Sequence, residues 1–364
     1  MKKTDELFMR EAIKLAKKAK GKTCPNPLVG AVIVKDGKII GKGYHKKAGL
    51  PHAEVVAIKS VKNKNDLKGA TIYVNLEPCN HYGRTPPCSI AIINSGIKRV
   101  VIGMRDPNKQ ASGGIERLKQ AGIEVKVGVL EEEAKKLNEI FIENIVNKKP
   151  FFIMKAAMLL NGSIAVKGGI SQWITGELAR RFTHRLRGTH SAVLVGINTV
   201  LMDDPLLTCR IPRYKQPKRV ILDANLKIPV SAKLLSEHPE NVYIITTKES
   251  DSAKKRILKA MDVNIIECSL NEKGEFDPKE LSEKLLKNEI CSVLVEGGSR
   301  THGYFLKHKL YNKAYLFYAP KIAGSYGAFN VVGCEAPSSI EDTLQLKDTH
   351  CQRVGKDFLI EGYF

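Results

Sequence analysis

Three metal-ligating side chains sit where a strand pattern hands over to a helix pattern, and no other feature of the chain restricts its fold as much. His52-Ala53-Glu54 opens an apolar-periodic helix, Pro78-Cys79 follows a strand-like run, and Cys88, nine positions later, precedes a second apolar helix. Helix starts suit such ligands, because the positive end of the helix dipole favours thiolates and other anions. One histidine and two cysteines supply three ligands for a tetrahedral Zn2+ ion and leave its fourth position open to water, which is the arrangement of a catalytic site. A disulfide framework is not expected: eight cysteines in 364 residues are too dilute for one, and a reducing compartment leaves them for metal binding or as buried thiols. The alternative is a closed zinc knot, or a histidine and two cysteines that bind nothing; His-Ala-Glu followed by Leu-Glu-Pro-Cys in strand context weighs for catalysis.

Around these residues the chain alternates helix and strand. Thr4 can cap a first helix, Asp5 and Glu6 suit its positive end, Phe8, Ala12, Leu15 and Ala19 recur at helical spacing, and Gly21 ends it. Strand-like runs over 28–35 and 38–44 flank Asp36-Gly37, a strong hairpin signal. Then follow a helix from His52, a strand over 71–76, a helix after Pro87, a strand over 99–103, a helix near Ile115, a short strand around Val125 and a helix over 131–146. This pattern predicts a three-layer α/β domain. Asn147-Lys148-Lys149-Pro150 is a polar stop before apolar Phe151-Phe152-Ile153-Met154, so the boundary is placed between residues 1–148 and 149–364; two domains of ordinary size are expected at this length. Strands near 192–196, 219–222, 242–246, 263–266 and 292–295, returning over 314–318 and 358–360, predict a second α/β domain with a mixed sheet.

Glu54, two residues beyond the histidine, is not needed as a ligand. It can carry a proton from water to a departing amine, the part a glutamate plays in zinc deaminases of cytosine-like rings. The formal charge of +21 raises nucleic acid as a partner, but the excess is mostly lysine spread along the chain, without a basic tail. No leader-like segment or apolar run of membrane-spanning length is present, and a cytoplasmic location is expected.

The usual deaminase signature separates its cysteines by two residues. Here eight intervene, Asn80-His81-Tyr82-Gly83-Arg84-Thr85-Pro86-Pro87, in a loop with donors suited to a phosphate. Together with Thr23-Cys24-Pro25-Asn26-Pro27-Leu28-Val29-Gly30, it closely resembles the deaminase half of the bifunctional riboflavin-biosynthesis deaminase/reductases. The resemblance implies a cytidine-deaminase-like three-layer α/β/α domain and a diaminopyrimidinone substrate with a phosphoribosylamino group. It also implies that Asn26 holds the ring and that His81, Arg84 and Thr85 meet the substrate. A turn residue between prolines is the plain alternative for Asn26, and a solvated loop side chain for His81.

The second half extends the resemblance through Ser171-Gln172-Trp173-Ile174-Thr175, Gly196-Ile197-Asn198-Thr199-Val200, Asp203-Asp204-Pro205-Leu206-Leu207-Thr208-Cys209-Arg210 and Glu296-Gly297-Gly298. These runs look like the family's reductase domain, which implies a dihydrofolate-reductase-like α/β fold and NADPH. By carry-over, Met158, Trp173, Thr199, Asp203 and Gly298 border the cofactor, and Ser171, Arg187, Leu207, Arg210 and Glu296 face the phosphoribosyl substrate. Lys155 and Asp203 are expected beside the reacting carbon. Surface pairing is the plain alternative for the arginines and a core position for Trp173. Leu159-Leu160-Asn161-Gly162-Ser163 departs from the family's Ser-Leu-Asp-Gly followed by Lys or Arg, losing an acid and a base near the expected cofactor site. Small-molecule substrates and a homo-oligomer are expected, with neither nucleic acid nor membrane as partner. A deaminase of RNA or DNA is the rival reading, and it leaves the second half without a role.

Overall fold

The Asp36-Gly37 corner has positive φ at both residues (49° and 73°), a backbone whose twist matches a two-residue hairpin. In the computed structural model, which describes residues 2–82, 86–324 and 326–364, this corner joins β1 (Gly30–Lys35) to β2 (Lys38–Tyr44). The chain divides into two compact units, Met1–Lys148 and Lys149–Phe364.

The other elements of the first unit are α1 (Lys2–Lys17), α2 (Ala53–Ser60), β3 (Thr71–Leu76), α3 (Cys88–Asn94), β4 (Arg99–Met104), α4 (Gly114–Gln120), β5 (Glu124–Val127), α5 (Glu131–Leu137) and α6 (Glu139–Val146). The sheet order is β2-β1-β3-β4-β5, with β1 antiparallel to both neighbours and β3, β4 and β5 parallel. Successive strand residues face opposite ways, and both faces are apolar. Ile33, Ile72, Val74 and Ile102 pack with Ala57 of α2, Ile92 of α3 and Leu118 of α4. Val32, Val34, Tyr73 and Val101 pack with Phe8, Met9 and Ala12 of α1. The result is the expected three-layer α/β/α sandwich.

Two details differ from the expectation. α1 starts at Lys2, so Thr4 lies inside its first turn and does not cap it. Asp5 is buried, and its carboxylate accepts from Arg99 of β4 (2.9 and 3.0 Å), Lys126 of β5 (2.7 Å) and the Tyr73 hydroxyl of β3 (3.0 Å). The helix expected over 131–146 is broken at Asn138 (φ −103°, ψ 19°). That side chain clasps Leu28 instead, accepting from its N–H (2.8 Å) and donating to its carbonyl (3.1 Å).

The second unit has strands β6 (Phe151–Leu159), β7 (Ser163–Ala165), β8 (Ala192–Gly196), β9 (Lys218–Leu222), β10 (Val242–Thr246), β11 (Asn264–Glu267), β12 (Ser292–Gly297), β13 (Tyr311–Ala319), β14 (Phe329–Asn330), β15 (Lys347–Val354) and β16 (Asp357–Tyr363). Its helices are α7 (Glu177–Thr189), α8 (Ile197–Asp203), α9 (Ser252–Ala260), α10 (Pro278–Lys287) and α11 (Ser299–Lys307). The main sheet runs β11-β10-β9-β8-β12-β6-β13-β16-β15, parallel from β11 to β13 and antiparallel at β16 and β15, so it is mixed as expected. β7 pairs with β14 in a separate two-stranded sheet. β15 was not predicted; it is an exposed edge strand, and its Lys-Asp-Thr-His-Cys-Gln-Arg-Val run has no apolar face to mark it. Among the described residues no helix is long and apolar enough to cross a membrane.

The Asp5 cluster ties α1 to three strands. The Arg99 guanidinium, with Lys126 and Tyr73 behind it, holds the Asp5 carboxyl well below its ordinary value, although burial opposes this. A folded pKa below the unfolded one gives stability that is present above the unfolded value of about 4 and lost as pH falls towards the folded value. Because Arg99 and Lys126 stay partly exposed, Asp5→Ala is expected to destabilise the first unit by about 2 kcal/mol at pH 7. Urea-unfolding midpoints of both proteins should show that gap narrowing at pH 3; a gap that does not change contradicts this role.

Candidate active sites

Beyond β3 the chain turns through Glu77-Pro78-Cys79. Glu77 is buried, and its carboxylate accepts from the backbone N–H groups of Gly113 (3.0 Å), Ile115 (3.2 Å) and Asp106 (3.2 Å), joining the strand end to the loop after β4 and the start of α4. Gly114 admits no side chain there, since a Cβ would lie 1.8 Å from the Pro78 carbonyl oxygen. Cys88 opens α3, and its N–H points at Cys79 Sγ (3.4 Å). His52, at the start of α2, places Nδ1 3.2 Å from Cys88 Sγ and 3.5 Å from Cys79 Sγ. The three ligand atoms lie within 4.8 Å of one another, the one such group among the described residues.

One imidazole nitrogen and two sulfurs form a donor set that fits Zn2+. The contact between the thiols, reinforced by His52, pushes Cys79 down to about 4 and Cys88 well up, so thiolate character is favoured on Cys79. Glu54, in the first turn of α2, is buried beside this group and is not one of the ligands. Burial pushes its carboxyl up to about 7, with the Cys79 charge adding and His52 opposing. A carboxyl poised there can accept and return a proton near neutrality.

Asn26 takes part in a turn, its N–H donating to the Thr23 carbonyl (2.7 Å), and its side chain also reaches His45. With the His45 ring proton on Nδ1, facing the Pro51 carbonyl (3.2 Å), Nε2 accepts from Asn26 Nδ2 (3.1 Å). Burial pushes His45 down, which keeps it a neutral acceptor, and its ring meets His52 edge-on at 5.4 Å. His81 is exposed; Arg84 and Thr85 lie outside the described residues. Glu77 and His45 were missed by the sequence reading. The signal for Glu77 was an acid placed directly between a buried strand and a ligand; no local pattern marked His45.

In the second unit the ends of β6, β8 and β12 border a cleft of about 1280 Å³. Lys155, Ser171, Trp173, Arg187, Thr199, Asp203, Leu207, Arg210, Glu296 and Gly298 all line it. Met158 does not: it is buried on β6, one residue beyond Lys155, Ala156 and Ala157, which do. None of residues 159–163 lines the cleft either. They make the turn into β7, with Asn161 Nδ2 donating to Ser163 Oγ (2.9 Å) and the Ala323 carbonyl (3.1 Å), so the departure adjoins the cleft wall without forming it.

At the centre, Arg187 donates to both Glu296 oxygens (2.6 and 3.0 Å) and to the Thr208 carbonyl (3.0 Å), and Lys155 Nζ lies 3.7 Å from Glu296 Oε2. Burial pushes the Glu296 carboxyl up, but Arg187 and Lys155 outweigh it and hold it down to about 2. Burial also pushes Lys155 down, against the pull of Glu296. Ser171 Oγ donates to Asp203 Oδ1 (3.3 Å), and burial raises the Asp203 carboxyl. Arg210 Nε donates to His184 Nε2 (3.2 Å), and burial followed by Arg187 and Arg210 pushes that histidine down to about 4. His184 is a further cleft residue the sequence reading missed.

The cleft also fits a nicotinamide dinucleotide. Gly298 (φ 72°) caps α11, and a Cβ there would lie 3.2 Å from Thr199 Oγ1; a glycine at a helix start lets a phosphate approach backbone N–H groups. Trp173 presents an indole that is 61% exposed.

Comparison with known proteins covers both units. The family model for the RibD C-terminal domain matches residues 150–360, and that for the cytidine and deoxycytidylate deaminase zinc-binding region matches residues 2–104. Riboflavin biosynthesis protein RibD of Aquifex aeolicus is 48% identical, covering 98% of this chain and 97% of that protein. The Escherichia coli protein of the same name is 38% identical, with 97% of each chain covered. The structure of Acinetobacter baumannii RibD superposes with a TM-score of 0.90 at 36% identity, covering 100% of this chain and 99% of the other. A Thermotoga maritima diaminohydroxyphosphoribosylaminopyrimidine deaminase/5-amino-6-(5-phosphoribosylamino)uracil reductase gives 0.87 at 42% identity, with the same coverage. A zinc-type ligand set and a dinucleotide-sized cleft on one chain, together with these matches over both halves, place the protein in the RibD family of bifunctional riboflavin-biosynthesis enzymes, which join a zinc-dependent pyrimidine deaminase to an NADPH-dependent reductase.

Proposed function

We propose that the two reactions are divided between the units. Residues 1–148 deaminate the ring of 2,5-diamino-6-(5-phosphoribosylamino)pyrimidin-4(3H)-one, and residues 149–364 then reduce its ribosyl side chain to ribityl. The observation that carries this reading is that the ligand set with Glu54 belongs wholly to the first unit and the Lys155–Glu296–Arg187 cluster wholly to the second.

His52, Cys79 and Cys88 would hold a zinc ion, which would supply a Lewis acid that lowers the pKa of water to about 7. Glu54 takes the proton and delivers it to the departing ammonia, and burial keeps its carboxyl near the pH at which both transfers are easy. Asn26, steadied by neutral His45, orients the ring, and the loop with His81, Arg84 and Thr85 meets the phosphoribosyl group.

In the second unit Trp173, Thr199, Asp203 and Gly298 hold the nicotinamide cofactor, which supplies hydride. The ribosylamine opens to an imine, whose carbon is the acceptor. Lys155 and Asp203 manage the proton, and Glu296, locked by Arg187, orients the sugar hydroxyls. Ser171, Arg187, Leu207 and Arg210 border the phosphoribosyl end.

The reading includes a cytoplasmic homo-oligomer acting on small molecules, without nucleic-acid or membrane partners. A reducing compartment suits a metal site with two cysteine thiols.

Glu54→Gln should keep one zinc per chain by metal analysis yet lose ammonia release at least ~100-fold, since it removes the proton carrier and no ligand; Cys79→Ser should lose the zinc. Full deamination by Glu54→Gln contradicts the assignment. Lys155→Met and Asp203→Ala should each lower NADPH oxidation, followed at 340 nm with the deaminated intermediate, by about 100-fold or more while ammonia release is unchanged. Loss of both activities together would contradict the division between units.

A further inference from the structure

We infer that Arg180 is a positioning residue for the cofactor: its guanidinium backs one face of the Trp173 indole and so presents the other face to the dinucleotide. The inference rests on the reading that Trp173 borders the cofactor. Trp173 is the chain's single tryptophan, and 61% of it is exposed in the cleft wall. An indole left so free loses orientation unless something fixes it, because ordering a side chain costs rotamer entropy. Arg180 Cζ lies 4.6 Å from the ring centroid, within cation–π range.

Arg180 is itself anchored. It is the fourth residue of α7, and its guanidinium also donates to the Thr175 carbonyl (2.8 Å). The backbone on either side of the indole is tied as well. Lys321 Nζ donates to the carbonyls of Trp173 (3.2 Å) and Ile174 (3.1 Å), and the Gly176 N–H donates to Asp357 Oδ2 (2.8 Å). Backbone and ring are therefore held from different elements. A planar cation on one ring face leaves the opposite face as a platform, and a nicotinamide or adenine ring has the flat surface such a platform takes. Arg180 also lines the cleft, so direct contact with the cofactor's 2′-phosphate is the competing role. The two differ in one respect: a backing residue serves NADPH and NADH alike, whereas a phosphate contact serves NADPH alone.

Because the protein has one tryptophan, its indole emission reports this site directly. Titrating the full-length zinc-loaded protein with NADPH should quench that emission by energy transfer to the reduced nicotinamide. In Arg180→Ala the dissociation constants for NADPH and NADH should both rise by about 5–10-fold. The emission anisotropy of the free variant should fall, and KM for the pyrimidine should not move. Arg180→Lys, which keeps the charge on a similar stem, should recover part of the affinity and serves if the alanine variant does not fold. Unchanged dissociation constants overturn the proposal, and so does weakening confined to NADPH, which marks a phosphate contact. A wild-type protein that oxidises NADPH without any change in indole emission overturns the Trp173 reading and the proposal with it.

Discussion

A buried carboxylate at the carboxyl end of a parallel strand anchors each site. Taking an ionised carboxylate out of water costs several kcal/mol unless charge-assisted hydrogen bonds replace the lost solvation. Glu77, just past β3, finds three backbone N–H groups, and Glu296, near the end of β12, finds the Arg187 fork and Lys155. The partners decide what each acid does. Backbone donors make Glu77 set the path of the chain, which brings Cys79 to His52 and Cys88. Side-chain donors make Glu296 set charges, fixing a lysine and an arginine in the floor of a cleft.

The same contrast explains how buried acids come to differ in chemistry. Burial raises the Glu54 carboxyl to about 7 against the pull of His52; Glu296 is also buried, but two cations hold it down to about 2. One is thereby suited to move a proton, the other to remain an anion that orients its neighbours. The cleft lining carries six basic side chains, Lys155, Arg180, Arg187, Arg210, Lys233 and Arg300, against four acids, Asp203, Asp204, Glu275 and Glu296, and this excess of positive charge suits phosphorylated ligands. His184 and His302, each pushed down to about 4 chiefly by burial and then by nearby cations, add no charge near neutral pH.

Much of the architecture was legible because local rules and tertiary needs agreed. Asp36-Gly37 had to turn, the strand over 192–196 is packed on both faces and so uniformly apolar, and His52 and Cys88 stand at helix starts where the dipole favours them. What escaped shares one cause, partners distant in sequence. Asp5 looked like a dipole residue, but its role is set by Arg99 and Lys126. Asn138 broke an otherwise good helix because Leu28 needed its amide, and β15 carried no pattern because neither of its faces is covered. Within the sites, motif residues were found by resemblance, whereas His45 and His184, which support them by hydrogen bonds, had no signature. Met158 is buried on β6 and does not line the cleft.

The most direct measurement is the mass of the products formed when the purified zinc-loaded chain is given the phosphoribosylamino-diaminopyrimidinone, first alone and then with NADPH. The deaminated ribosyl compound should accumulate without NADPH, and its ribityl reduction product should replace it once NADPH is added. A substrate returned unchanged, or a deaminated product that NADPH never converts, would contradict a chain that performs both reactions.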